Sequence, residues 1–157
     1  MFKVSRIKAF DISNLFRVSD ILWRCGKDMA QKYDLHHWDN SRFKSFVIVC
    51  LGVLKNRLYL VFDAQNQAVA TFQIKKNNSD IHFEKLATLP QYAGKGVGSF
   101  CMEYIEKIAK EYGCNTVSME VYANSKHAIE FYEHRGYEIS GSVETLKYTE
   151  YKMQKKL

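Results

Sequence analysis

"LATLPQYAGKGVGSF", residues 86–100, is the stretch on which the reading of this chain turns. It follows the single proline, Pro90, with Gly94, Gly96 and Gly98, three of the eight glycines in 157 residues. Beyond them Val97, Phe100, Cys101, Tyr104, Ile105, Ile108, Ala109 and Tyr112 recur every three or four residues, with Glu103, Glu106, Lys107, Lys110 and Glu111 between, which predicts an amphipathic helix stopped by Gly113. A strand that ends at Pro90, turns through glycines and opens a helix presents unpaired backbone N–H groups at the positive end of the helix dipole, an anion site. Glycines allow φ > 0 and close backbone approach, so several N–H groups can converge on a phosphate or pyrophosphate.

Two phosphate motifs compete for this loop. A P-loop needs Lys-Ser or Lys-Thr after the glycines, and none follows. A dinucleotide fingerprint needs an acidic residue about 20 positions on, which Glu120, 22 residues past Gly98, would supply. The residues before the loop, however, read as an antiparallel meander, which is wrong for a doubly wound fold.

That meander comes from "RLYLVFD" (57–63), the turn-like "AQNQ" (64–67), "AVATFQIKK" (68–76) and "DIHFEKLATL" (80–89). In the last strand Ile81 and Phe83 share one parity and Leu86 takes the other, a slip that a β-bulge produces. Upstream, "KVSRIKAF" reads as a first strand. Asp11 or Ser13 then caps a helix running to about Cys25, with Leu15, Phe16, Ile21 and Leu22 inward. "QKYDLHHWDNSRF" reads as a loop or broken helix, and a second helix covers Ser41 to Leu54 on Phe43, Phe46, Val47, Val49, Cys50 and Val53. Downstream, "TVSMEVY" alternates as a strand, "SKHAIEFYEHR" is a short helix closed by Gly136, and "YEISGS" with "LKYTEYKM" forms a final hairpin.

Residues 86–138, in this element order, resemble the coenzyme A binding half of the GNAT superfamily of acyl-CoA-dependent N-acetyltransferases. The loop pattern [QR]-x-x-G-x-[GA] falls on Ala93 to Gly98, and N-x-x-A-x-x-[FL]-Y-x-x-x-G-[FY] falls on Ser125 to Tyr137. Two positions depart from it: Ala93 replaces the usual Gln or Arg, and Ser125 replaces Asn, with Asn124 one place earlier. The resemblance implies an α+β GNAT fold, a mixed and mostly antiparallel central sheet of six to seven strands flanked by about four helices, over one domain spanning 1–157. It further implies transfer of an acetyl group from acetyl-CoA to a primary amine by direct attack, with a catalytically idle acyl-CoA sensor or partner-binding module as the alternative.

Residue by residue, the resemblance implies that Ala93, Gly94, Lys95, Gly96, Val97, Gly98 and Ser99 hold the cofactor's pyrophosphate, with Asn124 or Ser125 adding a contact. Leu86, Ala87 and Thr88 pair with its pantetheine arm. Tyr132 matches the family's tyrosine near the sulfur. A phenol of pKa about 10 can protonate a thiolate without ionising at neutral pH. For the base, Glu84 resembles the strand carboxylate of some members. His82, two residues earlier on the same face, has the better intrinsic pKa, and a water chain is a third option. Acceptor specificity is expected from the N-terminal half, where Trp23, Tyr33, His36, His37 and Trp38 are candidates without assigned roles.

Composition bounds the rest. With 46% hydrophobic residues the chain can bury a real core. Its formal net charge of +6 suits an anionic partner but does not choose one. No recognition-helix or RNP-like pattern points to nucleic acid. "MFKVSRIKAFDISNLFRVSD" has no apolar run of signal or membrane-spanning length, so a cytoplasmic protein without a membrane partner is expected. Cys25, Cys50, Cys101 and Cys114 show no C-x-x-C spacing, which argues against a disulfide or metal site. The expected partner is a small-molecule or peptide amine, and a homodimer through the C-terminal hairpin is compatible with the pattern.

Overall fold

A computed structural model describes residues 1–36, 41–146 and 148–157. Its elements are β1 (Lys3–Ile7), α1 (Ile12–Tyr33), α2 (Arg42–Lys55), β2 (Arg57–Phe62), β3 (Ala68–Asn77), β4 (Asp80–Thr88), a 3-10 turn (Pro90–Tyr92), α3 (Val97–Glu111), β5 (Thr116–Tyr122), α4 (Lys126–Glu133), β6 (Glu138–Glu144) and β7 (Thr149–Lys156). The strands form one sheet in the order β1-β2-β3-β4-β5-β7-β6. Pairing is antiparallel for β1/β2, β2/β3, β5/β7 and β6/β7 and parallel for β4/β5, so the sheet is mixed and mostly antiparallel, with four helices. Among the described residues no helix is long and apolar enough to cross a membrane.

The chain divides into two compact units, Met1–Ile74 with Lys85–Tyr104, and Lys75–Glu84 with Ile105–Leu157. In the first, α1 and α2 lay Leu15, Val18, Ile21, Leu22 and Val49 over Ile7, Leu58, Leu60, Phe62 and Leu89. The opposite parity of β2 carries Tyr59, whose ring stacks on Phe72 at 4.9 Å and meets Tyr104 edge-on at 6.0 Å. Asp11 caps α1, accepting the Asn14 amide at 3.2 Å. Ser41 caps α2, accepting the Lys44 amide at 3.3 Å. In the second unit, Phe83 lies 6.1 Å from Tyr132 and 6.3 Å from Tyr137, and Ile105, Val117 and Met153 are fully buried.

Three features depart from the sequence reading. Helix α1 continues to Tyr33, well past Cys25, because Asp20–Arg24 and Asp28–Lys32 pair at i,i+4 through its polar second half. It ends where Asp34 turns left-handed at φ 55°. The stretch read as a loop therefore begins as the last turn of that helix. Phe16 and Phe43, read as inward residues, are exposed. His37 and Trp38 lie outside the described residues.

The parity slip in β4 has its counterpart at Lys85, whose φ is +55° in mid-strand. A residue out of the extended conformation breaks the two-residue alternation of a strand at that point. Lys85 reaches back to donate from Nζ to Oε1 of Gln73 at 3.1 Å. Gln73 is buried on β3 against Gly52 of α2, where an added Cβ would stand 2.9 Å from the same oxygen. A β-branched residue cannot hold this φ without strain, so Lys85→Val is expected to lower unfolding free energy by about 1–3 kcal/mol. Lys85→Gly, which removes the side chain but fits the backbone, should cost less; urea denaturation of the two variants checks the order.

Candidate active site

The glycine turn is built on a chain of anchors within the first unit. The Leu89 amide donates to Val69 O at 2.9 Å, closing β4. Tyr92 then donates its hydroxyl to Asp63 Oδ2 at 2.7 Å, while Asp63 Oδ1 accepts the Gln65 and Gln67 amides in the β2–β3 turn. The Tyr92 bond holds the Asp63 carboxyl below the usual carboxylate range and raises the Tyr92 phenol. Arg24 of α1 donates to Gln91 Oε1 at 3.3 Å. The loop is thus tied to a hairpin tip and a helix before its first glycine.

Gly94 and Gly96 have φ of +72° and +79°, and a Cβ at either would meet nothing within 4 Å. These glycines serve backbone conformation and leave the surface in front of the turn open. The Ala93 and Lys95 amides are taken up inside the turn, donating to Pro90 O at 3.1 Å and Tyr92 O at 3.2 Å. Helix α3 makes its first i→i−4 bond from Phe100 N to Gly96 O at 3.0 Å. The amides of Val97 and Gly98 therefore stand at its start, ahead of that first helical bond. The Lys95 ammonium lies over the Tyr92 ring, 5.3 Å from its centroid. Of the amides expected as donors across 93–99, those of Ala93 and Lys95 are thus taken up within the turn.

The strand end leading to this turn is also fixed. Cys25 donates from Sγ to Thr88 O at 3.2 Å. Although Cys25 as a residue is half-buried, its thiol is enclosed, and burial, then the Asp28 carboxylate, pushes it up to about 12. Burial does the same for Cys101, also to about 12.

In the second unit, Tyr132 is buried on α4, its ring 5.2 Å from Phe131 and 6.0 Å from Tyr137. Tyr137 donates to Glu106 Oε1 at 3.4 Å; burial first, and then Glu106, raises its phenol strongly. Both oxygens of Glu106 are also bonded by Lys155 Nζ at 3.0 Å. Of the two residues offered for one cofactor contact, Ser125 is buried at the start of α4 and Asn124 is exposed beside it.

The two candidate bases share one face of β4. His82 pairs through Nε2 with Glu120 Oε2 at 2.9 Å and through Nδ1 with Ser118 Oγ at 3.1 Å, and Ser118 donates to Asp80 Oδ2 at 2.6 Å. Both ring nitrogens are engaged. Glu84, half-buried on the same face of β4, stands next to the left-handed Lys85. Sequence reasoning missed the roles of Glu120, Ser118, Asp80 and Cys25, because each depends on strand register or helix placement. The available signal was the shared parity of Ser118 and Glu120 on one strand. Among the described residues no group of three or more His, Cys, Asp or Glu is placed to hold a metal ion.

A cavity of about 720 Å³ lies at the N-terminal halves of α1 and α2 in the first unit. Phe16, Phe43, Phe46, Ala68 and Leu89 give it apolar walls; Arg17, Asp20, Arg24 and Arg42 line it as well.

A seven-stranded, mostly antiparallel sheet with four helices, a parallel pair at β4/β5 and a glycine turn opening α3 is the arrangement of the GNAT fold. The chain belongs to the Acetyltransferase (GNAT) family, whose profile matches residues 15–137. Among solved structures it is similar to the PaiA N-acetyltransferase of Thermoplasma acidophilum in complex with coenzyme A, at 16% identity and TM-score 0.76, covering 100% of this chain and 99% of that one. The ribosomal-protein-S18-alanine N-acetyltransferase of Escherichia coli matches at 17% and 0.74, covering 99% and 94%. A spermidine N-acetyltransferase SpeG chimera from Vibrio cholerae and hSSAT matches at 13% and 0.72, covering 99% and 95%. At these identities the likeness is one of fold, and the acceptors named for the last two, a protein alanine and a polyamine, differ widely.

The raised thiols have a consequence for stability. Cys25 and Cys101 stay protonated in the fold up to about pH 12, while in the unfolded chain they ionise near their ordinary 9.0. Their contribution is fully present below pH 9 and is lost as pH rises toward 12. Urea titrations from about pH 7 to about pH 11 should give a flat unfolding free energy that declines above about pH 9. Iodoacetamide at neutral pH should label neither thiol until the chain unfolds.

Proposed function

We propose that the protein transfers an acetyl group from acetyl-CoA to a primary amine of a small molecule, peptide or protein, by direct attack of that amine. The observation that carries this reading is the turn at Gly94 and Gly96: two left-handed glycines with open space before them, followed by the Val97 and Gly98 amides at the start of α3. That cradle fits a pyrophosphate, whose charge the helix dipole favours by about 0.3–1 kcal/mol per charge, more when partly buried. Family membership and the coenzyme A complex of a structurally similar protein support the same cofactor here.

Acetyl-CoA supplies an acetyl group already activated as a thioester. The chain's own residues do the rest. The Val97 and Gly98 amides hold the pyrophosphate, with Ser99 beside them and Lys95 able to swing from Tyr92 to add charge. The backbone of Leu86, Ala87 and Thr88 orients the pantetheine arm, and an N–H there polarises the thioester carbonyl. Cys25 keeps Thr88 in place through its carbonyl. Asn124, more accessible than buried Ser125, is the better placed of the two for an added contact.

For proton transfer, Glu84, two residues nearer than His82 to the strand end at Leu86 to Thr88, takes the proton from the incoming ammonium. The Tyr132 hydroxyl donates a proton to the departing sulfur. The ammonium gives up two protons in becoming an amide nitrogen: the first passes to Glu84 and on to water, and the second, shed as the C–N bond forms and the C–S bond breaks, restores the proton that Tyr132 gives to the departing sulfur, so the products are the amide, the coenzyme A thiol and one proton in solvent.

Isothermal titration with acetyl-CoA, followed by a thiol-release assay over a panel of amines, amino acids and peptides, tests this. Saturable binding with turnover on at least one acceptor is expected. Gly96→Ala, forced against φ +79°, should weaken acetyl-CoA binding at least about tenfold. Tyr132→Phe should leave that binding intact and lower kcat about 10²-fold or more. Absence of acetyl-CoA binding would sink the cofactor assignment; binding without turnover on any acceptor would sink the enzymatic one.

A further inference from the structure

Helix α2 is apolar around its whole circumference. Ser45 and Val49 are buried, and Phe46, Cys50 and Val53 pack partly into the core of the first unit. The outer side carries Phe43, Val47, Ile48, Leu51 and Leu54, which are 74%, 40%, 45%, 59% and 69% exposed. A helix that is hydrophobic all round is expected to be covered on every side. Phe43, Val47, Leu51 and Leu54 follow at steps of four, four and three, one continuous stripe. Phe16 of α1, 58% exposed, stacks on Phe46 at 4.3 Å and widens the patch.

The area is large. These six side chains expose on the order of 600 Å², at the upper limit for the largest apolar patch of a typical monomer. That is most of the roughly 800 Å² each partner contributes to a stable pair. No charged residue occurs from Ser45 to Leu54. The stripe also has unlike ends. At Phe43 it borders the cavity between α1 and α2, whose walls include Phe46, Ala68 and Leu89. At the other end Leu51 and Leu54 project as knobs, Leu54 about 16 Å further along the helix axis than Phe43.

We propose that this face of α2 joins two copies of the chain as a two-fold dimer, the helices antiparallel, so that each copy's Leu51 and Leu54 cover the other's Phe43 and cavity mouth. Antiparallel pairing places knobs over hole twice, which is the self-complementarity a two-fold interface requires. The charges at the rim do not specify an anionic partner. Arg42 is already held by Asp20 at 3.0 Å and by the Trp23 ring at 4.2 Å, and Arg24 by Asp20 at 3.8 Å, so the stripe itself is flanked by Lys44 and Lys55 at opposite ends. In the dimer each Lys44 lies toward the other copy's Lys55, a repulsion that salt screens. Self-association should therefore strengthen with ionic strength, whereas docking of an acidic segment or an anionic membrane weakens.

Sedimentation equilibrium tests this. The full chain should show twice its 18.3 kDa at micromolar concentration, more completely at high salt. Leu54→Glu and Phe43→Lys, both at exposed positions, should each give a monomer with an unchanged circular dichroism spectrum. Mixed in equal amounts they should regain the dimer mass. The heterodimer sets the introduced carboxylate of one variant against the introduced ammonium of the other at one contact, and keeps the native Leu54–Phe43 contact at its two-fold mate. Three outcomes overturn the proposal: a wild-type monomer up to about 100 μM, a mixture that stays monomeric, or a wild-type chain that instead sediments with phosphatidylserine vesicles.

Discussion

A lysine held in the left-handed region in the middle of a strand is the constraint on which the first unit is organised. Lys85 at φ +55° carries a backbone cost that most non-glycine residues avoid, of order 1 kcal/mol. Its Nζ bond to buried Gln73 offsets part of that cost, and Gln73 itself can sit where it does only because position 52 has no Cβ. Strand β3, strand β4 and helix α2 are thus tied at one point. Beyond that point β4 continues through Leu86 to Thr88, whose carbonyl is taken by Cys25, and Ala87 and Leu89 pack under α1 and α2. The strand end and the glycine turn that follows inherit their positions from these contacts.

Much of this was legible because it is local. The 3.6-residue period of α3, the alternation of β5 and the parity slip before Leu86 need no knowledge of what packs where. The full length of α1 was not legible from apolar spacing, since Gly26 to Lys32 carry little of it; i,i+4 ion pairs extend the helix instead. Phe43 was misread for a physical reason: periodicity reports which side of a helix is apolar, and α2 has no polar side to contrast with it, while Phe16 of α1 stacks on Phe46 of that same helix and stays exposed. Where both faces are hydrophobic, spacing cannot tell which one meets the core.

The site divides along the same line. Left-handed turns at Gly94 and Gly96 follow from composition, because a glycine-dense turn ahead of a helix has few other uses. Which amides remain for a ligand does not. The Lys95 N–H goes to Tyr92 O, a bond set by the 3-10 turn at Pro90–Tyr92, which is in turn fixed by Asp63, 29 residues upstream of Tyr92. Likewise the pattern at the start of α4 offered Ser125 and Asn124 as equals, and only packing buries the first and leaves the second exposed. His82 and Ser118 are partners because β4 and β5 run parallel in one register. A shift of one residue would turn Ser118 to the other face, so no reading of either strand alone could join them.

These dependencies also bear on why α2 is apolar throughout. Gly52 costs the helix about 1 kcal/mol of propensity relative to alanine. It is retained at the point where Gln73 supports Lys85, so α2 needs compensating burial to stay seated against β3. The inward face alone provides little: Ser45 and Val49 are its buried residues, with Phe46, Cys50 and Val53 only partly covered. Burying Phe43, Leu51 and Leu54 against a further surface would supply what the inward face lacks. On that view the outer stripe and the strained lysine are opposite sides of one balance, and covering α2 from outside steadies Lys85 through Gly52 and Gln73.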